Sequence, residues 1–199
     1  MVVVARHLSA VETLTKAGLQ LGRVASRLLT APGVNTLIRG MEAVSGIHLP
    51  KWNTALPRVR REGVPTRLDL NAEYVYFPTC ISRVMGSAPN EDSQPLIETL
   101  MKLADRAGVS LVISEEPRGL CCGMPFFSKG FFAAGTHCLA STVEALWNLS
   151  DHGRLPIVTD ASSCAFELHH GGSALDGDVA DKWRSMTFMD SIDFAHDVL

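Results

Sequence analysis

The stretch V109-SLVISEEPRGLCCGMPFFSKG-F131 joins a short apolar run to the start of a long helical pattern through a loop with adjacent thiols, Cys121 and Cys122. Val109 to Ile113 is rich in branched apolar residues and reads as a strand. From about Phe131 to Asn148, Phe132, Leu139, Val143 and Leu146 line one stripe, which reads as a helix. The unit is therefore strand, cysteine loop, helix.

Working outward, the same alternation recurs on both sides. Glu73 to Phe77 is a β-rich run, and Gln94 to Ala107 carries Leu96, Leu100 and Leu103 at helical spacing. Downstream, Pro156 to Thr159 reads as a third strand, and MTFMDSIDFAHDVL closes the chain as a short strand or turn followed by a helix. Strands alternating with helices predict an α/β fold, a three-layer sandwich around a mostly parallel sheet. The expected division is an N-terminal helical segment at 1–47, a linker at 48–71 and a cysteine-rich α/β domain at 72–199.

The cysteines fall at repeating positions in this pattern. Cys80 follows the first strand, Cys121 and Cys122 the second, and Cys164 the third. Forty residues separate Cys80 from Cys121 and forty-one separate Cys122 from Cys164, so each interval spans one helix and one strand. In a parallel sheet the strand C-terminal ends share one edge, where ligand-binding loops collect. Four thiolates on one edge are a ligand set for a soft metal centre, either an iron–sulfur cluster or a structural zinc. Gly123 frees the loop backbone, while Pro78 and Pro125 stiffen it. Cys138, inside the long helix, reads as a packed core thiol rather than a fifth ligand. His137, His169 and His170 lack a paired ligand spacing. Lys129 is either a charge that lowers a thiolate pKa or an exposed loop lysine. Thiol–disulfide exchange at Cys121 and Cys122 is the weaker alternative, because adjacent cysteines close a strained ring.

Composition sets the outer bounds. The 199 residues are 46% hydrophobic and 20% charged, with a formal net charge of −3, so nothing global attracts nucleic acid. No window reaches the roughly 18 apolar residues of a membrane span. The N-terminus lacks a signal-peptide core, and five cysteines without a secretion signal indicate reduced thiols. The expected location is cytoplasmic, free or peripheral to the inner face of the membrane.

Residues 8 to 29 place Leu8, Val11, Leu14, Leu19, Val24 and Leu28 near helical periodicity, stopping at Ala31-Pro32-Gly33. A second helix follows over Val34 to Val44, up to Gly46. The first helix is expected to pack against its own domain, with docking on a partner or membrane surface as the alternative. Pro50, Pro57 and Pro65, interleaved with Lys51, Arg58, Arg60, Arg61 and Arg67, predict an extended linker whose cations form a solvated strip.

The segments VYFPTCISRVMG, GLCCGMPFFSKGF and PIVTDASSCAFEL resemble the cysteine-rich CCG repeat of iron–sulfur oxidoreductases, a group in which heterodisulfide reductase and glycolate oxidase each have an iron–sulfur component. Ser128-Lys129-Gly130, the ending Asp160-x-Ser162-x-Cys164 and KWNTALPR are similar to the C-terminal region of FAD-dependent iron–sulfur D-lactate dehydrogenases. The resemblance implies a 4Fe-4S cluster on Cys80, Cys121, Cys122 and Cys164, with zinc as the alternative. It also implies a flavin domain or subunit as electron donor, a second CCG repeat, and a quinone or other acceptor. In that family the flavin domain carries out hydroxy-acid oxidation, so no catalytic acid or base is expected among these residues. The fuller repeat ends in Cys-x-x-Cys; here the earlier position is Ala161, which departs from five-cysteine ligation. The competing reading is a structural zinc or metal-free interaction domain within an oxidoreductase complex.

Overall fold

The computed structural model describes residues 1–46, 48–60, 63–69, 71–87, 94–113 and 118–199. Its centre is a four-stranded, all-parallel sheet of β1 (Tyr74–Phe77), β2 (Leu111–Val112), β3 (Ile157–Thr159) and β4 (Phe188–Asp190), in the spatial order β2-β1-β3-β4. Val75 pairs with Val112 on one side and Ile157 on the other, and Val158 pairs with Met189. Parallel strands need crossover connections that cover both sheet faces, so these strands are apolar on both sides.

Alternate residues of each strand feed two separate cores. Val75, Phe77, Ile157 and Phe188 point to one face, where they meet Leu139, Val143 and Leu146 of helix α6 (Phe132–Leu149) and Leu168 of helix α7 (Ser162–His170). Tyr76, Leu111 and Val158 point to the other, against Ile97, Leu100 and Ala104 of helix α4 (Leu96–Ala107) and Phe194 of helix α9 (Ser191–Asp197). This is the expected three-layer arrangement. Short helices α3 (Cys80–Val84), α5 (Met124–Phe127) and α8 (Gly177–Arg184) were not legible as periodic patterns, because at four to eight residues they are too short to display a period.

Ahead of the sheet stand α1 (Val2–Arg6) and the long α2 (Leu8–Ser45). Thr30 breaks α2 with φ 63° and ψ 165°, two residues before Pro32, and Gly46 ends it in the left-handed region. The break and the stop match the two helical segments expected here. The expected packing of this arm on its own domain is realised mainly at its start. Only Val34 of α2 is buried, and Leu14, Leu21 and Leu28 are 70–78% exposed. The linker folds back along the arm: Trp52 lies against Gly22, Asn35 brackets the Trp52 backbone with two hydrogen bonds, and Arg23 donates to the Leu56 and Pro57 carbonyls.

The linker cations are not a solvated strip throughout. Arg60 is 5% exposed, donates to Glu98 of α4 and to the Gly63 carbonyl, while Arg67 pairs with Asp105. A buried guanidinium must find acceptors, and α4 supplies them. Arg61 lies outside the described residues.

Candidate metal centre

The strand order explains why the cysteines meet. From β1 the chain crosses one face through α4 to β2, then returns over the other face through α6 to β3. The loops leaving β1 and β3 therefore part in opposite directions, and such a switch point opens a crevice at the strand C-terminal ends. Cys80 opens α3 after β1, and Cys164 lies in the first turn of α7 after β3. Asp160 joins the two exits: its carboxylate accepts from the Thr79 amide at 3.0 Å and from the Tyr76 hydroxyl at 2.7 Å. Burial, together with that carboxylate, raises the Tyr76 pKa, so the phenol stays protonated.

Cys121 and Cys122 enter from the third loop. The Cys121 amide donates to Thr142 Oγ1 and the Thr142 hydroxyl donates back to the Cys121 carbonyl, each at 2.9 Å, so this residue is clamped to α6. Gly123 then turns at φ +91°. A Cβ at this position would stand 2.6 Å from the Phe127 ring and 2.7 Å from the Gly135 carbonyl, so only glycine fits without displacement.

The five cysteines lie in two adjoining groups. The Cys122 and Cys164 Sγ atoms are 3.1 Å apart, Cys121 packs in one cluster with Cys138 and Cys80, and the adjacent Cys121 and Cys122 join the two. The thiols are free. Cys121, Cys122, Cys138 and Cys164 are 1–7% exposed, and Cys80 is half-buried. The four cysteines expected on one edge are thus brought together, and Cys138 joins them. Cys138 is a packed core thiol, 2% exposed in a buried cluster with Ala5, Phe126 and Ala134, and that cluster also contains Cys121. Lys129 is exposed. His169 and His170 sit at the end of α7, ring to ring with Phe188 and Phe166 respectively.

The electrostatics favour one anion. Cys121 and Cys164 donate to Cys122, the Met124 amide adds a further hydrogen bond, and together they outweigh desolvation to hold the Cys122 pKa down to about 4. Cys121 and Cys164 are correspondingly pushed up. Cys80 is lowered by its hydrogen bond with Cys121, aided by the charge of Arg83. A single Cys121 proton faces three acceptor sulfurs and can serve one at a time.

Arg83 is the main residue that sequence reasoning missed. Its side chain is 2% exposed, donates to the Pro78 and Leu120 carbonyls, pairs with Glu12 of α2 and lies 5.9 Å from the Phe77 ring centroid. It stands three residues after Cys80 on α3, on the same side of that helix. This spacing was the available signal, hidden because a helix of five residues is hard to read.

The donor set is soft, thiol-only and almost fully buried. Two polar atoms near this edge, Arg83 Nε and Thr159 Oγ1, are buried without a hydrogen-bond partner. Cys80 and Cys121 also border a largely apolar cavity of about 290 Å³ between the start of the arm and helices α3 and α5. Among the described residues, no three or more Cys, His, Asp or Glu side chains are placed to hold a single ion. A buried, thiol-only donor set is of the soft kind that an iron–sulfur cluster or a zinc ion takes.

Comparison with known families agrees with this chemistry. Residues 74–169 match the family model of the CCG cysteine-rich domain. The matched span begins on β1 and ends in α7, so it contains all five cysteines. CCG domains are typical of iron–sulfur oxidoreductase subunits and commonly bind iron–sulfur clusters. No curated protein and no solved structure matches the chain. Among the described residues no helix is long and apolar enough to cross a membrane.

Proposed function

We propose that the chain is an electron-transfer module in which Cys80, Cys121, Cys122 and Cys164 hold a 4Fe-4S cluster. The observation that supports it is the gathering of these thiols at the sheet's switch point, where Cys122 meets Cys164 and Cys80 packs against the cluster of Cys121. When bound, such a cluster supplies one-electron transfer at a potential tuned by hydrogen bonds to sulfur, charge and solvent exposure. The residues here supply the tuning. Arg83 places a fixed positive charge beside Cys80, Ala5 and Phe126 pack over Cys121, and Thr142 fixes the Cys121 backbone.

In this reading residues 72–199 are the functional unit, 48–71 the linker and 1–47 a helical arm. The domain works within a flavin-dependent 2-hydroxy-acid oxidoreductase of D-lactate or glycolate type. Electrons arrive from a flavin domain or subunit and leave, with a second CCG repeat, towards a quinone or other acceptor. Support for that assignment is the sequence resemblance, which extends through KWNTALPR ahead of the sheet.

Anaerobic purification followed by iron, sulfide and zinc analysis is the test. Brown protein with stoichiometric iron and sulfide, lost in Cys122→Ser, is the expected result. Colourless protein holding one zinc per chain would instead establish the structural-metal alternative.

A further inference from the structure

Resting on the cluster reading above, we infer that Arg83 is a positioning residue for that centre: it bolts the Cys80 loop to the Cys121 loop and keeps its Nε–H for a cluster sulfur. The guanidinium donates to both loops. Nη1 gives a hydrogen bond to the Pro78 carbonyl at 2.8 Å, two residues before Cys80, and Nη2 gives one to the Leu120 carbonyl at 2.6 Å, next to Cys121. Nη2 also reaches Glu12 of α2. One planar fork thus ties the loops leaving β1 and β2 to each other and to the arm, and the rigid placement of its donors is what an ammonium would lack.

The donor left over is Nε. The Arg83 side chain is 2% exposed, and Nε is buried without a hydrogen-bond partner. A buried N–H without an acceptor is costly and calls for one. Arg60 Nε is likewise unpartnered, but Arg60 serves Glu98 and the Gly63 carbonyl, whereas Arg83 serves the two cysteine loops. It also stands three residues after Cys80 on α3, hence on the same side of that helix. A thiolate-held cluster brings negative charge into a buried site, and buried charge needs an opposite partner. Arg83 supplies it, and Glu12 offsets part of it from the arm. A cation and an N–H on sulfur both favour the reduced, more negative cluster, so Arg83 raises the reduction potential and Glu12 lowers it.

The test reconstitutes the full chain anaerobically with ferrous iron and sulfide, and compares wild type with Glu12→Gln, Arg83→Lys and the double variant Glu12→Gln/Arg83→Met. Replacing both partners avoids leaving a buried carboxylate alone. The midpoint potential, followed by electron paramagnetic resonance in a redox titration, and the rate of iron loss to a chelator are read, with circular dichroism as the folding check. In the double variant the oxidised-to-reduced ratio at a fixed ambient potential should rise at least about tenfold, a fall of about 59 mV for one electron. Arg83→Lys, which keeps the charge but not the Nε–H, should shift the same way by less, and both should lose iron about 10–100-fold faster. Glu12→Gln should move the potential upward. If either folded Arg83 variant keeps the wild-type potential, Arg83 is a structural bolt only and the inference fails, while the cluster reading stands. Should neither Arg83 variant fold, Glu12→Gln alone decides, and an unmoved or lowered potential overturns the inference. Wild-type protein that takes up no iron defeats the cluster reading itself.

Discussion

Helices α2 and α6 both carry apolar stripes, yet one faces water and the other builds the core. Across its 38 residues α2 buries only Val34. Across 18 residues α6 buries seven, from Ala134 to Leu146. The difference lies in what each helix is laid against. The crossover from β2 to β3 presses α6 on the sheet, where Leu139, Val143 and Leu146 meet Val75, Ile157 and Phe188. The arm is instead fastened by polar contacts: Glu12 to Arg83, Arg23 to the linker carbonyls, and Asn35 to Trp52. Burial of apolar area stabilises at roughly 25 cal/mol per Å², and an arm with one buried residue gains little of it.

The strongest way to break the contrast is at the Arg83–Glu12 joint. Arg83→Ala leaves Glu12 without its cation and two carbonyls without donors, and should cost about 3–5 kcal/mol. Urea denaturation monitored by circular dichroism measures it; a loss below about 1 kcal/mol would mean that the joint is solvated. Within the core, Leu146→Ala should cost about 2–5 kcal/mol, since it opens a cavity under α6 that a packed sheet cannot refill. Thermal or urea unfolding of that variant sharpens the comparison directly.

A third test probes the loop between the two helical regimes. Gly123→Ala forces a side chain into a left-handed residue pressed against Phe127 and the Gly135 carbonyl, at a cost of about 1–3 kcal/mol. Iron retention after reconstitution should fall with stability. Fourth, in metal-free reduced protein one thiolate should form with a pKa of about 4, seen as far-ultraviolet thiolate absorbance. The sign follows from the lowered pKa: the absorbance is present at neutral pH and disappears as acid carries the pH below about 4. Cys122→Ser should abolish this step, and its persistence would assign the anion elsewhere. The smallest effect belongs to the arm. Leu21→Ser, at a side chain 70% exposed, should move unfolding free energy by no more than about 0.5 kcal/mol.

Much of the fold and part of the site were legible in the amino-acid pattern. The strands at Tyr74, Leu111 and Ile157 announced themselves as apolar runs because parallel strands are covered on both faces. Equal spacing then put Cys80, Cys121, Cys122 and Cys164 on one edge. Arg83 was missed, and the neighbour of Cys138 was not foreseen. Arg83 is a charged residue on a five-residue helix, and its burial depends on Glu12, 71 positions away. Cys138 read as a small core residue of α6 and is buried as one; its closeness to Cys121 was not legible, because that neighbour arrives through the Thr142 clamp rather than through sequence proximity.

Local pattern by itself determined that strands and helices alternate, where the arm breaks and stops, and that four thiols follow three strands. These depend on side-chain period, backbone restriction and turn chemistry, all properties of short stretches. Tertiary structure alone decided the order β2-β1-β3-β4, the packing of Cys138 with Cys121, the burial of Arg83 and the exposure of α2. Each of those depends on which surfaces meet across tens of residues, and a period along the chain records that a face is apolar but not what comes to cover it.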